Sequence, residues 1–160
     1  MRPSGFTLVE TIIYIALYGT VFTGLIWFAL YITEISYRNE AISGINYNTR
    51  LSGRVITQEI KRAEAVLDPA PGASAESISL LMRDDSIEII GIENGRLRIG
   101  NGENRFVTGD EYYVTELNFT NFGGSRNNIG YNIKMNLSPD RIGPARSYEE
   151  GIRSAVNLRH

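Results

Sequence analysis

Few residues of this chain are of the types that carry catalysis or bind metals. The 160 residues include no Cys, and the single His, His160, is the last residue. Without Cys there is no disulfide framework, no thiolate nucleophile and no zinc site built on sulfur. A terminal His frays, and the chain has no GxSxG motif and no isolated pair of acids typical of an active site. We therefore expect a protein that is not an enzyme, with no cofactor and no metal centre.

Two polar stretches offer the oxygen ligands that Ca²⁺ prefers. The first is Asp84 with Asp85, and the second is the run NGEN at positions 101–104. Neither has the ligand spacing of a complete calcium loop, so we interpret both as hydrated turns. The glycines at 100 and 102 lack the third glycine and the following helix of a dinucleotide-binding motif.

The charges are balanced and dispersed. The chain has 16 Lys and Arg against 18 Asp and Glu, for a net charge of -2. The basic residues are scattered between acids and form no block, which is typical of a solvated surface. Nothing in this pattern indicates a nucleic-acid partner.

One long apolar run dominates the first part of the chain. Residues 11–33 are uncharged, and a helix of that length covers roughly 35 Å, enough to cross a bilayer. The remaining chain is too polar to surround a helix that is apolar on every side, which disfavours a buried core helix. A signal peptide fits less well, because its core is usually about 7–15 residues long and no small-x-small cleavage site follows Thr33. With Arg2 on the cytoplasmic side, we expect a single-pass protein whose later residues lie outside the membrane, with lipid as one partner.

Glu10 is the one acid at the edge of this run. An ionised carboxylate in hydrocarbon costs on the order of several kcal/mol unless a cation pairs with it. Glu10 either lies at headgroup depth and is solvated, or it has a cationic partner. The sequence alone leaves both interpretations open.

The segment GFTLVE at positions 5–10 resembles the processing site of type IV pilins and pseudopilins. The resemblance implies that a prepilin peptidase cuts between Gly5 and Phe6 and methylates the new amine of Phe6. It further implies that the apolar helix remains as membrane anchor and assembly surface. The new α-amino cation would pair with Glu10, either within one helix or between neighbouring subunits. Gly5 and Phe6 are therefore the predicted processing residues, and Glu10 with Phe6 the predicted assembly salt bridge.

A fainter similarity extends along the rest of the chain. The run VITQEIKRA at 55–63, the order of the expected strands and the closing NLR at 157–159 are similar to minor pilins of the W type and to the J-type pseudopilin of type II secretion. This similarity implies a subunit at or near the tip of a type IV pilus, competence pilus or secretion pseudopilus. Its partners would be other pilins, the peptidase and an assembly platform, all at the bacterial inner membrane. The alternative is a single-pass membrane-anchored extracytoplasmic binding domain that enters no filament.

The remaining sequence predicts an α+β fold. Apolar residues at helical spacing continue the helix as an amphipathic segment over 34–68, ending before Pro69. Strand patterns follow, and Asn94-Gly95 predicts a two-residue hairpin turn. We thus expect a leader at 1–5, a membrane helix at 6–33, its continuation at 34–68 and a β-rich domain at 69–160, in which the helix packs on an antiparallel sheet. The predicted strands are 77–82, 86–92, 96–100, 112–122, 129–137 and 152–158.

Overall fold

The structure, a computed structural model, describes residues 7–100, 105–123, 128–137 and 149–158. The chain divides into two compact units, Met1–Glu40 and Ala41–His160. The first unit contains the apolar part of the first helix. The second contains the rest of that helix and all the strands.

The first helix, α1 (Leu8–Arg62), begins one residue after Thr7. Thr7 acts as its N-cap, since its Oγ1 accepts a hydrogen bond from the backbone N–H of Glu10 at 3.4 Å. The helix continues without a break through Gly19 and Gly24. Apart from the neighbouring backbone of the helix itself, no atom of the described residues lies within 4 Å of the position that a Cβ would take at either glycine.

The helix ends earlier than the sequence predicts. It stops at Arg62, and the last six residues assigned to it form the strand β1 (Ala63–Asp68), which pairs with the strand β3 (Ile78–Met82). Ala63 and Leu67 match helical spacing, but backbone pairing with β3 overrides that local pattern. Leu67 is 49% exposed, so it does not belong to the buried helix face that the pattern indicates. The prediction of helix over 63–68 was wrong.

The strands of the second unit form two antiparallel sheets, and the α+β class is confirmed. Besides β1 and β3, the described strands are β2 (Ser74–Ala75), β4 (Ile87–Glu93), β5 (Arg96–Ile99), β6 (Arg105–Phe106), β7 (Tyr112–Asn121), β8 (Asn128–Leu137) and β9 (Glu150–Asn157). The first sheet has the order β1-β3-β4-β5-β6 and the second the order β2-β7-β8-β9. The six predicted strands correspond to β3, β4, β5, β7, β8 and β9. The strands β1, β2 and β6 are additional, and the strands form two sheets where one was expected.

One hydrophobic core joins the helix to both sheets. Ile56 and Ile60 of α1 are fully buried, and the cluster includes Leu80 of the first sheet and Phe119 and Ile133 of the second. Apolar residues alternate along β8, and Ile129, Tyr131, Ile133 and Met135 are buried while Leu137, at the end of the strand, is half-buried. The second half of α1 therefore supplies the apolar stripe that both sheets cover.

The hairpin turn at Asn94 and Gly95 is confirmed. Both residues have positive φ, 51° and 73°, as a type I′ turn requires. The carbonyl of Gly95 also accepts a hydrogen bond from the N–H of Val114 at 2.7 Å, which links the turn between β4 and β5 of one sheet to β7 of the other. The turn is therefore a point of contact between the two sheets as well as a local connection.

Replacing Gly95 with Ala is expected to destabilise the second unit by about 1–3 kcal/mol. A Cβ at this position overlaps the ring of Tyr113, and an L side chain disfavours the positive φ. Urea unfolding of the full chain in detergent, followed by near-ultraviolet circular dichroism, measures the loss. Gly109→Ala is the matched control, because apart from its chain neighbours no described residue has an atom within 4 Å of the added Cβ, so stability should stay unchanged. Equal stabilities of the two variants would contradict the prediction.

Candidate membrane-assembly segment

The apolar part of α1 presents hydrophobic side chains on every side. Between Leu8 and Ile32 the large hydrophobic residues are 47–77% exposed within this unit. Within the described residues, α1 is the one helix long and apolar enough to cross a membrane, and none of its most apolar stretch is buried. Because exposed apolar area costs roughly 25 cal/mol per Å² in water, this surface requires a lipid or protein environment. The segment is a candidate membrane anchor or signal segment.

The threonine side chains of this segment are hydrogen-bonded within the helix. Each of its threonine hydroxyls donates to the backbone carbonyl four residues earlier. The pairs are Thr11 with Thr7, Thr20 with Ala16, Thr23 with Gly19, and Thr33 with Ala29, at 2.8–3.3 Å. A hydroxyl that donates its hydrogen bond to a carbonyl of its own helix needs no water as a partner, so these residues are compatible with hydrocarbon surroundings.

Glu10 lies in the first turn of α1, where its carboxylate is exposed. The positive end of the helix dipole favours an acid at this position. Among the described residues, no cation forms an ion pair with it. Gly5 and Phe6, the predicted processing residues, lie outside the described residues, so the structure places Glu10 but not its predicted partner.

Exposed aromatic side chains occupy the other end of the segment. Trp27 and Tyr31 lie near the end of the uncharged run, and Tyr37 follows it. Trp and Tyr favour the interface between membrane and water, where the ring meets lipid and the polar atom meets water. Sequence reasoning missed this feature, although the residue types and their position after the middle of the run were a sufficient signal.

The acidic pair considered for Ca²⁺ forms a turn. Asp84 Oδ1 accepts hydrogen bonds from the backbone N–H and the hydroxyl of Ser86, at 3.2 and 2.6 Å. These two bonds hold the pKa of Asp84 below its usual value. The stretch at 101–104 lies outside the described residues. In the ranges that are described, no group of three or more His, Asp or Glu side chains could hold a metal ion.

A buried carboxylate marks the end of α1. Glu59 is only 3% exposed, and its two oxygens pair with Arg105 at 3.0 Å and Arg62 at 3.3 Å. Glu88 of β4 lies beside this group, and one of its oxygens is buried without a hydrogen-bond partner among the described residues. Burial, and secondarily repulsion from Glu59, raise the pKa of Glu88, while Arg105 and Arg62 partly oppose the shift and Asp84 adds to it.

Glu88→Gln is expected to make the protein more stable at pH 7. Because the folded state raises the pKa of Glu88 above its ordinary value of 4.5, the folded protein binds more protons than the unfolded one in the window above that value. Stability therefore falls as pH rises through the window, and the neutral Gln removes this loss. Urea unfolding of both proteins over a pH series tests this. The free energies of unfolding of the two proteins should differ at pH 7 and become equal below the ordinary pKa of the Glu88 carboxyl. A difference that persists at low pH would show that ionisation of Glu88 is not its cause.

Comparison with known proteins identifies no relative. No protein-family model, no curated protein and no solved structure matches the chain. No family is therefore assigned to it.

Proposed function

We propose that this chain is a non-catalytic minor pilin or pseudopilin, a subunit of a type IV pilus, competence pilus or type II secretion pseudopilus. The proposal is carried by one observation: α1 begins with an apolar segment exposed on all sides, and its single acid, Glu10, lies in the first turn. In a plain anchor this carboxylate is solvated at headgroup depth and favoured only by the helix dipole, whereas in a filament subunit it also pairs with the cation of a neighbour.

The proposed processing creates the cation that pairs with the carboxylate of Glu10. Before cleavage the nitrogen of Phe6 is an amide and carries no charge. Hydrolysis of the bond between Gly5 and Phe6 leaves a carboxylate on the five-residue leader and an α-amino cation on Phe6. Methylation of that amine preserves its charge, because a secondary amine is still protonated at neutral pH. An amine and a carboxylate from adjacent subunits then neutralise each other as the helices pack out of the bilayer.

The proposed location follows from the same segment. The peptidase acts on the cytoplasmic side of the inner membrane, the apolar part of α1 spans it, and the unit from Ala41 onwards lies outside the cytoplasm. The partners in this scheme are other pilins along the helix, the peptidase, the assembly platform and lipid. The chain itself catalyses no step.

The alternative function is an anchored extracytoplasmic binding domain. One observation favours it: the second unit contains a groove lined by basic side chains and independent of the apolar segment. Such a domain uses the same membrane topology but never leaves the membrane.

Cell fractionation of the native bacterium distinguishes the two functions. A pilin-like subunit should appear both in the membrane and in filaments sheared from the surface, and deletion of the assembly platform should confine it to the membrane. Protease added to spheroplasts should remove the second unit in either case, which controls for topology. Complete absence from sheared filaments at normal membrane abundance would support the anchored domain instead.

A further inference from the structure

A basic groove of about 620 Å³ lies in the second unit, between α1 and the strands β8 and β9. On its helix side it is lined by Arg50, Arg54, Lys61 and Arg62, and on its strand side by Arg153. Among the residues that the structure describes, no carboxylate lines it. The basic residues that look scattered in the sequence are therefore gathered by the fold on one surface, although the chain as a whole has a net charge of -2.

The cations of this groove are mostly uncompensated. Arg50 and Arg54 are four residues apart on one helix face, a spacing at which like charges repel by a few tenths of a kcal/mol. Of the five, only Arg62 forms an ion pair within the described part of the chain, with Glu59. The other four face the groove without a carboxylate partner there, so an anionic ligand would find their charges available.

The floor of the groove is fixed by hydrogen bonds. The buried Tyr131 hydroxyl donates to the carbonyl of Gly53 at 2.8 Å and contacts Thr57 Oγ1 at 2.9 Å. Because its single proton goes to Gly53, Thr57 supplies the proton of the second bond. A Cβ at Gly53 would lie 3.3 Å from the Tyr131 oxygen, so glycine permits this close approach. These hydrogen bonds hold α1 against β8 and so fix the position of the basic side chains on the helix side of the groove.

The strand side of the groove is an open sheet edge. Within the described ranges, β9 is the last strand of the second sheet, so one of its edges pairs with no described strand. An extended segment can add to such an edge by backbone hydrogen bonds, with alternate side chains pointing to the same face. Alternate side chains of an extended chain are about 6.7 Å apart, and helix positions four residues apart are about 6 Å apart. Carboxylates at alternate positions of a peptide therefore match the repeat of Arg50 and Arg54.

We propose that this groove binds an extended acidic peptide segment of a partner protein, whose alternate carboxylates pair with Arg50, Arg54 and Arg153. The ligand class follows from the groove itself: among the described residues that line it, the one aromatic side chain, Tyr131, is buried, and the chain is acidic overall, both of which favour a peptide over a nucleic acid. Arg side chains bind carboxylates in a bidentate manner, and the open strand edge suits a peptide backbone. The inference does not depend on assembly into a filament.

Fluorescence anisotropy with the full chain in neutral detergent tests the proposal. The probe is a labelled eight-residue peptide alternating Glu and Thr, and its matched control alternates Gln and Thr. The Glu peptide should bind, and raising the salt from about 50 to about 500 mM should weaken it. The double variant Arg50→Glu with Arg54→Glu should weaken binding by about tenfold or more.

A second pair of charge reversals controls for net charge. Arg38 and Arg83 are exposed and lie outside the groove, so Arg38→Glu with Arg83→Glu should change affinity by less than about threefold. The neutral pair Arg50→Gln with Arg54→Gln, which introduces no repulsion, should also bind weakly while retaining the wild-type unfolding midpoint.

Three results would overturn the inference. The first is equal binding of the Gln and Glu peptides. The second is undiminished affinity in the folded Arg50 and Arg54 variants. The third is binding of a single-stranded oligonucleotide more tightly than the Glu peptide, which would assign the groove to nucleic acid. The pilin proposal would survive each of them, because none involves Glu10 or processing.

Discussion

Replacing Glu10 with Leu is expected to leave the protein in the membrane, still processed, but to remove it from filaments. The substitution makes the first turn of α1 more apolar, so insertion is unimpaired. In the proposed assembly, it also leaves the α-amino cation of Phe6 without a carboxylate partner as subunits pack together. An unpaired charge held away from water costs several kcal/mol, and each ~1.4 kcal/mol changes an equilibrium tenfold. Incorporation into sheared filaments should therefore fall by about tenfold or more.

Quantitative immunoblots of membrane and filament fractions measure this effect. Thr11→Leu is the matched control, since it adds a similar side chain one position later and removes only a hydroxyl bonded within its own helix. It should assemble normally. Glu10→Gln should fail like Glu10→Leu, because it retains the size and polarity of the side chain and removes only its charge. Normal incorporation of Glu10→Leu would contradict the pairing of Glu10 with an amine.

Phe119→Ala is expected to destabilise the second unit by about 3–5 kcal/mol. Phe119 lies on β7 and is 0% exposed, in the core between the two sheets and α1. Its removal loses the transfer free energy of the ring and leaves a cavity that the rigid sheets fill only in part. Since whole domains are stable by only about 5–15 kcal/mol, this single change removes a large share of the total.

Phe122→Ala provides the matched control, because the same side chain is removed three residues later from a position that is 62% exposed. Urea unfolding of the full chain in detergent should show a large loss for Phe119→Ala and a loss below about 1 kcal/mol for Phe122→Ala. Comparable losses at both positions would mean that the core does not lie where this structure places it.

The sequence predicts the features that depend on local chemistry. The uncharged run of residues 11–33 indicates its helix directly, because only a helix satisfies every backbone group in hydrocarbon. Asn94 and Gly95 specify their turn, since both tolerate positive φ. The alternation along β8 indicates which of its faces is buried.

The features that sequence reasoning missed depend on tertiary pairing. Ala63 and Leu67 satisfy helical spacing as well as strand spacing, and only the presence of β3 selects the strand. Division of the strands into two sheets depends on which non-local edges meet, and local pattern does not encode this. The basic groove joins Arg50 and Arg54 to Arg153, about a hundred positions later, so charge counting along the chain could not reveal it.

Intact mass spectrometry of the protein purified from its native membrane shows whether proteolysis creates the proposed cationic partner of Glu10. We expect a chain that has lost residues 1–5 and gained one methyl group, with fragment ions placing the methyl on the amine of Phe6. A chain that still begins at Met1, in cells that process other prepilins, would contradict this expectation.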